Sequence, residues 1–163
     1  MPIKFNADEI FEIAERIEID GAKFYRDAEA NSSNEKVKKM LLGLAEMEDQ
    51  HKMIFALMRQ DLMAEEKKTT TFDPENRLKD YLHAMADGYV FGTKTQPIAK
   101  VNKSNLEEVL VTAMGLEKDS IIFYQGIKEM ISSELGKTRI DQIIREEMGH
   151  IVTLNGYLTE ARG

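Results

Sequence analysis

Residues 18–25 read EIDGAKFY, and 99 positions later residues 117–124 read EKDSIIFY. Glu, Asp, Phe and Tyr recur in place. The same offset carries Glu48 to Glu147 and His51 to His150. One Glu-x-x-His is a weak signal. Two of them, each 30 residues after a recurring Glu and in one register, are a strong one. Two of the three His in the chain fall at these positions. The repeat also dictates a shape. The midpoint of 18 and 48 is residue 33, and the midpoint of 117 and 147 is residue 132; both fall in Ser-rich stretches. Antiparallel helices folded there set Glu18 level with Glu48, and Glu117 level with Glu147. Glu and His at i, i+3 share a helix face. Each hairpin therefore offers two carboxylates and one imidazole at one height.

Apolar period and caps define four long helices. The first opens near Asn6, with Glu9 in capping-box spacing. Its stripe is Ile10, Ala14, Ile17, Gly21, Phe24 and Ala28, and it stops at Asn31-Ser32-Ser33-Asn34. The second opens there, with Ser32 and Glu35 in the same spacing, and runs to about Glu66. The third opens at Ser104 with Glu107 and ends near Ser132-Ser133. The fourth runs from about Glu134 to the C-terminus. The connection between them holds one shorter helix, with Asp73 as N-cap, Pro74 in its first turn, and a stripe of Leu78, Tyr81, Leu82, Met85 and Tyr89. The expected organisation is a single domain over 1–163: hairpin 6–66, crossover 67–103, hairpin 104–162. This is an all-α four-helix bundle. Two antiparallel hairpins joined by one long crossover give its ferritin-like version.

Register turns the repeat into chemistry. In the second helix, Leu41, Glu48, Phe55, Leu62 interleave with Val37, Leu44, His51, Met58. In the fourth, Ile140, Glu147, Leu154 interleave with Ile143, His150, Tyr157. The third repeats the pattern with Leu110, Glu117, Tyr124, Ile131, and the first with Phe11, Glu18, Tyr25. The ligand-type residues occupy core slots of apolar seams. Four carboxylates thus enter one core layer in which no Lys or Arg falls. Burying an ionised carboxylate unpaired is very costly. Two divalent cations would balance the four charges; otherwise these Glu must be protonated. Hard oxygen plus imidazole, with no sulfur, suits iron or manganese rather than a structural zinc site. Glu18, Glu48, His51, Glu117, Glu147 and His150 are the expected ligands of two Fe ions, with Mn as the alternative.

Composition removes other classes. The 163 residues carry a formal charge of −7, which speaks against nucleic acid as partner. No run is long and apolar enough for a membrane span. The opening MPIKFNADEIF does not read as a signal peptide, and a cytoplasmic location is expected. The absence of Cys excludes disulfides, zinc ribbons and thiolate-bound iron within the sequence.

The segments EIDGAKFY and EKDSIIFY, with EDQH and EMGH, resemble those of the rubrerythrin-like branch of the ferritin-like di-iron carboxylate superfamily. The resemblance covers both hairpins. It implies a di-iron centre that reacts with peroxide or dioxygen, with Glu18, Glu48, Glu117 and Glu147 as terminal and bridging carboxylates and a His capping each metal. Rubrerythrins proper add a rubredoxin-type domain that feeds electrons to the site. This chain has none, so a separate electron-donor protein is implied. Rubrerythrins proper also carry an extra Glu one turn after the third-helix ligand, where this chain has Ser120. Homodimerisation is implied by the resemblance alone.

The expected activity is that of an oxidoreductase of peroxidase or ferroxidase type, acting in oxidative stress. The alternatives are a ferritin-like iron carrier or storage unit, a manganese catalase-like reaction, and a bundle that keeps its site for stability alone. Tyr25 and Tyr124 lie seven residues after Glu18 and Glu117. They could donate to ligand carboxylates or to a bound peroxide, or be packed core tyrosines satisfied elsewhere. Gly21 and Ser120 keep the positions one turn from the ligands small. Asp20 and Asp119 are read as surface or hydrogen-bonding residues, and His83 as solvent-exposed. Met40, Met53, Met58 and Met130 are expected as core filler.

Overall fold

The structure is a computed structural model that describes residues 7–65, 77–86 and 101–163. Among these, five helices follow in order: α1 (Ala7–Ala30), α2 (Glu35–Glu65), α3 (Arg77–Ala86), α4 (Leu106–Met130) and α5 (Glu134–Arg162). Helices α1 with α2, and α4 with α5, form two tight hairpins that face each other. The expectations placed on Asn6, Asp73, Pro74 and Tyr89, and on the side chains of Leu62, Leu78, His83 and Met85, lie outside the described residues. No helix among the described residues is long and apolar enough to cross a membrane.

The seams read from the sequence are the seams that pack. Phe11 and Tyr25 of α1, Leu41 and Phe55 of α2, Leu110 and Tyr124 of α4, and Ile140 and Leu154 of α5 are all buried. Contacts at the helix ends show the direction of each neighbour. Lys103, just before α4, bonds Asp27 near the end of α1 at 3.0 Å. Lys36 at the start of α2 reaches Glu160 near the end of α5 at 2.8 Å, and Arg139 of α5 meets Asp61 of α2 at 3.3 Å. Neighbouring helices are therefore antiparallel. Exposed pairs of this kind add little stability; their value here is to report the arrangement.

The chain leaves α2 at one end and enters α4 at the other. On the way α3 docks against α4. Leu82 is buried, and the Tyr81 hydroxyl donates to the Ile122 carbonyl at 3.0 Å. Gly126 permits the approach, because a Cβ there would lie 2.8 Å from the Tyr81 ring and 2.9 Å from Leu82.

Two caps differ from the sequence expectation. Helix α2 is capped by Asn34 rather than Ser32. Asn34 Oδ1 accepts from the amides of Lys36 and Val37 at 2.9 and 3.2 Å, while Ser32 Oγ takes the Asn34 amide at 3.3 Å. Helix α4 is capped by Asn105 rather than Ser104, and Asn105 accepts from the Glu108 amide at 3.2 Å. In each case an Asn lies between the Ser and the first apolar seam residue, and its carboxamide reaches the free amides without delaying the helix. Ser133 caps α5 by accepting from Gly136. Asn105→Ala is expected to cost about 1 kcal/mol, read as a lower urea midpoint at unchanged slope. An unchanged midpoint would show that Asn105 Oδ1 does not hold the helix start.

One side chain is misplaced in the sequence reading. Met53 is 64% exposed, whereas Met40 and Met58 are buried. Position 53 falls off both seams of α2, so the helix turns it to solvent.

Candidate metal centre

The six residues singled out from the repeat meet at the centre of the bundle. Glu18 comes from α1, Glu48 and His51 from α2, Glu117 from α4, and Glu147 and His150 from α5. Among the described residues, these six and Ser120 are the buried polar and charged ones, and each is at most 2% exposed. No Lys or Arg is buried with them. The two imidazole rings lie 5.8 Å apart, inclined by 23°.

The ligand atoms form two overlapping groups. Glu18, Glu48, His51 and Glu147 make one; Glu48, Glu117, Glu147 and His150 make the other. Glu48 and Glu147 are common to both, whereas Glu18 and Glu117 each belong to one. The sequence left open which carboxylates would bridge, and the geometry points to the two on the Glu-x-x-His helices. Glu147 lies between the imidazoles, with Oε1 3.0 Å from His51 Nδ1 and Oε2 2.8 Å from His150 Nδ1. Glu48 has Oε2 3.5 Å from His51 Nδ1 and Oε1 3.4 Å from His150 Nδ1.

The cluster fits metal ions better than it fits itself. His51 Nδ1, His150 Nδ1, Glu48 Oε1 and Glu147 Oε2 are buried and make no hydrogen bond. His150 Nδ1 and Glu147 Oε2 are close, but at an angle that closes none. Buried polar atoms are rarely left so. Donor atoms held about 2.1 Å from one divalent ion, at right angles to each other, are about 3.0 Å apart. The N···O separations of 2.8–3.7 Å around each imidazole match that spacing.

Two tyrosines cross-brace the cluster. The Tyr25 hydroxyl of α1 donates to Glu117 of α4, and the Tyr124 hydroxyl of α4 donates to Glu18 of α1. Of the readings open at the sequence level, the carboxylate donor is the one realised. Each hairpin thereby orients the other's unshared carboxylate. Burial, reinforced by the surrounding carboxylates, raises both phenols well above their usual range, so they remain donors. Ser120 turns its hydroxyl back to the Leu116 carbonyl at 3.0 Å and adds no ligand.

Two residues behind the imidazoles escaped the sequence reading. Glu146 Oε2 lies 2.7 Å from His51 Nε2, and Met47 Sδ lies 3.4 Å from His150 Nε2. Each immediately precedes a candidate ligand Glu. A one-residue step carries it off its own helix's seam and toward the imidazole of the opposite hairpin, which no period along one helix reveals.

Without metal, protons take over the charge balance. Burial pushes Glu18 and Glu117 well above the usual carboxylate range, and repulsion from Glu48 adds to it. Burial alone would lower both imidazoles, but the carboxylates around them outweigh it and raise both. Glu48 is also pushed up by burial, yet its close neighbours Glu18, His150 and His51 hold it below the usual range. A raised group gives stability that is complete below its unfolded pKa, about 4.3 for Glu and 6.5 for His. That stability is lost as pH climbs toward the folded value. The depressed Glu48 acts oppositely, but its contribution is already present above about pH 5. The metal-free protein is therefore expected to unfold at lower temperature as pH rises from about 5 to 8. Metal must displace these protons, so the rise in midpoint on metal addition should grow over the same range. Thermal scans with and without metal would check both slopes; an increment that shrinks with pH would refute the assignment.

The rubrerythrin family model matches residues 9–157. The structure superposes on that of a candidate ferritin-like diiron-carboxylate protein from Thermotoga maritima with a TM-score of 0.70. The two are 25% identical, and the match covers 96% of this chain and 97% of that one. Comparison with curated proteins returns no significant match. The fold is the ferritin-like four-helix bundle, and the matched span covers nearly all of both hairpins and all six candidate ligands. The chain belongs to the rubrerythrin family.

Proposed function

We propose that this protein is a di-iron oxidoreductase that reduces peroxide or dioxygen with electrons from a separate donor protein. The observation that carries the reading is the pair of four-ligand groups sharing Glu48 and Glu147. Shared carboxylates hold two ions adjacent, the arrangement suited to two-electron chemistry at one small substrate. Glu18 and His51 would hold one ion, Glu117 and His150 the other, with Glu48 and Glu147 spanning both. Iron bound there supplies the redox chemistry.

The chain's own residues set the conditions. Tyr25 and Tyr124 keep Glu117 and Glu18 aimed inward through their hydroxyl protons. Phe55 packs against the rings of Phe11 and Tyr124, all three buried, and a dry surrounding strengthens every charge interaction inside. The sequence has no Cys to hold a thiolate-bound iron, which is why the reductant is assigned to a partner.

The test is anaerobic loading with Fe(II) followed by peroxide or dioxygen. A ferric absorption band and stoichiometric loss of the oxidant are expected. Iron uptake with no oxidation by either reagent would overturn the proposal in favour of a carrier.

A further inference from the structure

The two halves of the site match at every candidate ligand, but not in the layer behind them. The offset that relates Glu48 to Glu147 also relates Met47 to Glu146 and Gly43 to Gln142. Behind His51 stands a built chain. Its Nε2 is 2.7 Å from Glu146 Oε2, and Glu146 Oε1 accepts from Gln142 Nε2 at 3.2 Å. Behind His150 stands the Met47 sulfur at 3.4 Å, and the residue one turn before it, Gly43, has no side chain.

The difference acts on the metal-facing nitrogen. A carboxylate can only accept from Nε2, so Nε2 keeps its proton and Nδ1 is the nitrogen that yields its proton to a metal ion and turns its lone pair to the four-ligand group. The carboxylate also fixes the ring plane and increases the ligand's basicity. A thioether is a weak acceptor and does little of this. Losing such a partner typically costs 10–100-fold in metal affinity.

We infer that the two metal positions are unequal by construction: the position of His51, Glu18, Glu48 and Glu147 fills first, and that of His150 and Glu117 fills second and exchanges more readily. Glu146 is then a positioning residue, acting through His51. The inference rests on the two-metal reading of the core but not on any activity. It provides a singly loaded form, with one open and exchangeable place next to a retained ion.

Repulsion between adjacent cations weakens any second binding step, so stepwise affinities alone would not decide the matter. The decisive readout is which imidazole binds first. The metal-free full chain would be titrated with Zn(II), which is redox-inert and diamagnetic, and the imidazole nitrogens followed by NMR. At one equivalent, the Nδ1 resonance of His51 should shift with that of His150 left behind, in a ratio of about 10–100. Glu146→Met should make the two histidines fill together. The Glu146→Met/Met47→Glu double variant should reverse their order, and Glu146→Gln, which keeps an acceptor oxygen but no charge, should fall between. Glu146 is about one-third exposed, and the unfolding midpoint of each metal-free variant controls for folding. Together filling in the wild type, or an order indifferent to these changes, would overturn the inference while leaving two bound ions in place. Failure of either imidazole to bind Zn(II) would overturn it along with the two-metal reading.

Discussion

Glu147→Ala is expected to abolish loading of both metal ions, whereas Glu117→Ala should spare the ion on the His51 side. The asymmetry follows from geometry. Glu147 sends one oxygen toward each imidazole, at 3.0 and 2.8 Å, and belongs to both ligand groups. Glu117 belongs to one. Removing Glu147 also leaves Glu48 as the sole shared carboxylate, too little negative charge to hold two cations side by side in a dry core. Metal analysis after anaerobic loading reads this as a fall from about two ions per chain to none, against a fall to about one for Glu117→Ala. Stability should follow occupancy. At free metal 100-fold above its dissociation constant, a bound ion adds about 2.7 kcal/mol. The variant should lose that increment while its metal-free midpoint moves much less. A Glu147→Ala protein that still binds two ions would refute the shared role.

Phe55→Ala should lower stability by about 3–5 kcal/mol, among the largest losses for one core truncation. Phe55 is fully buried one turn past His51. Its ring lies 6.2 Å from that of Phe11 and 4.9 Å from that of Tyr124, both in tilted contact. Helices pinned at the metal layer by Tyr25 and Tyr124 have limited freedom to close a cavity, so the loss should sit in the upper part of that range. Urea unfolding of the metal-free protein gives the number without the metal contribution. Phe55→Leu should cost less, since most of the volume is kept. A loss under about 1 kcal/mol would show that the core collapses freely around the site. Because Tyr124 orients Glu18, Phe55→Ala should also weaken metal binding on the His51 side.

The fold was legible because its signals are local and periodic. A seven-residue spacing marks one face of a helix, and every seam residue with a described side chain is buried or half-buried, down to Tyr157. The two-hairpin layout came from symmetry, since residues 33 and 132 must be turns if the Glu pairs are to be level. The caps at Asn34 and Asn105 were less legible, because neighbouring Ser and Asn compete for the same amides and only backbone geometry settles the choice.

The sequence by itself determined which heptad-seam residues are buried, that four Glu and two His share one layer, and that such a layer needs cations or protons. Burial pattern and charge cost suffice for that. Only the tertiary structure decided which two Glu are shared, which tyrosine holds which carboxylate, and that Glu146 backs one imidazole while Met47 backs the other. Those pairings join different helices, and they depend on how far each helix is rotated and slid against its neighbour. A period along one chain segment carries no information about that rotation; packing supplies it.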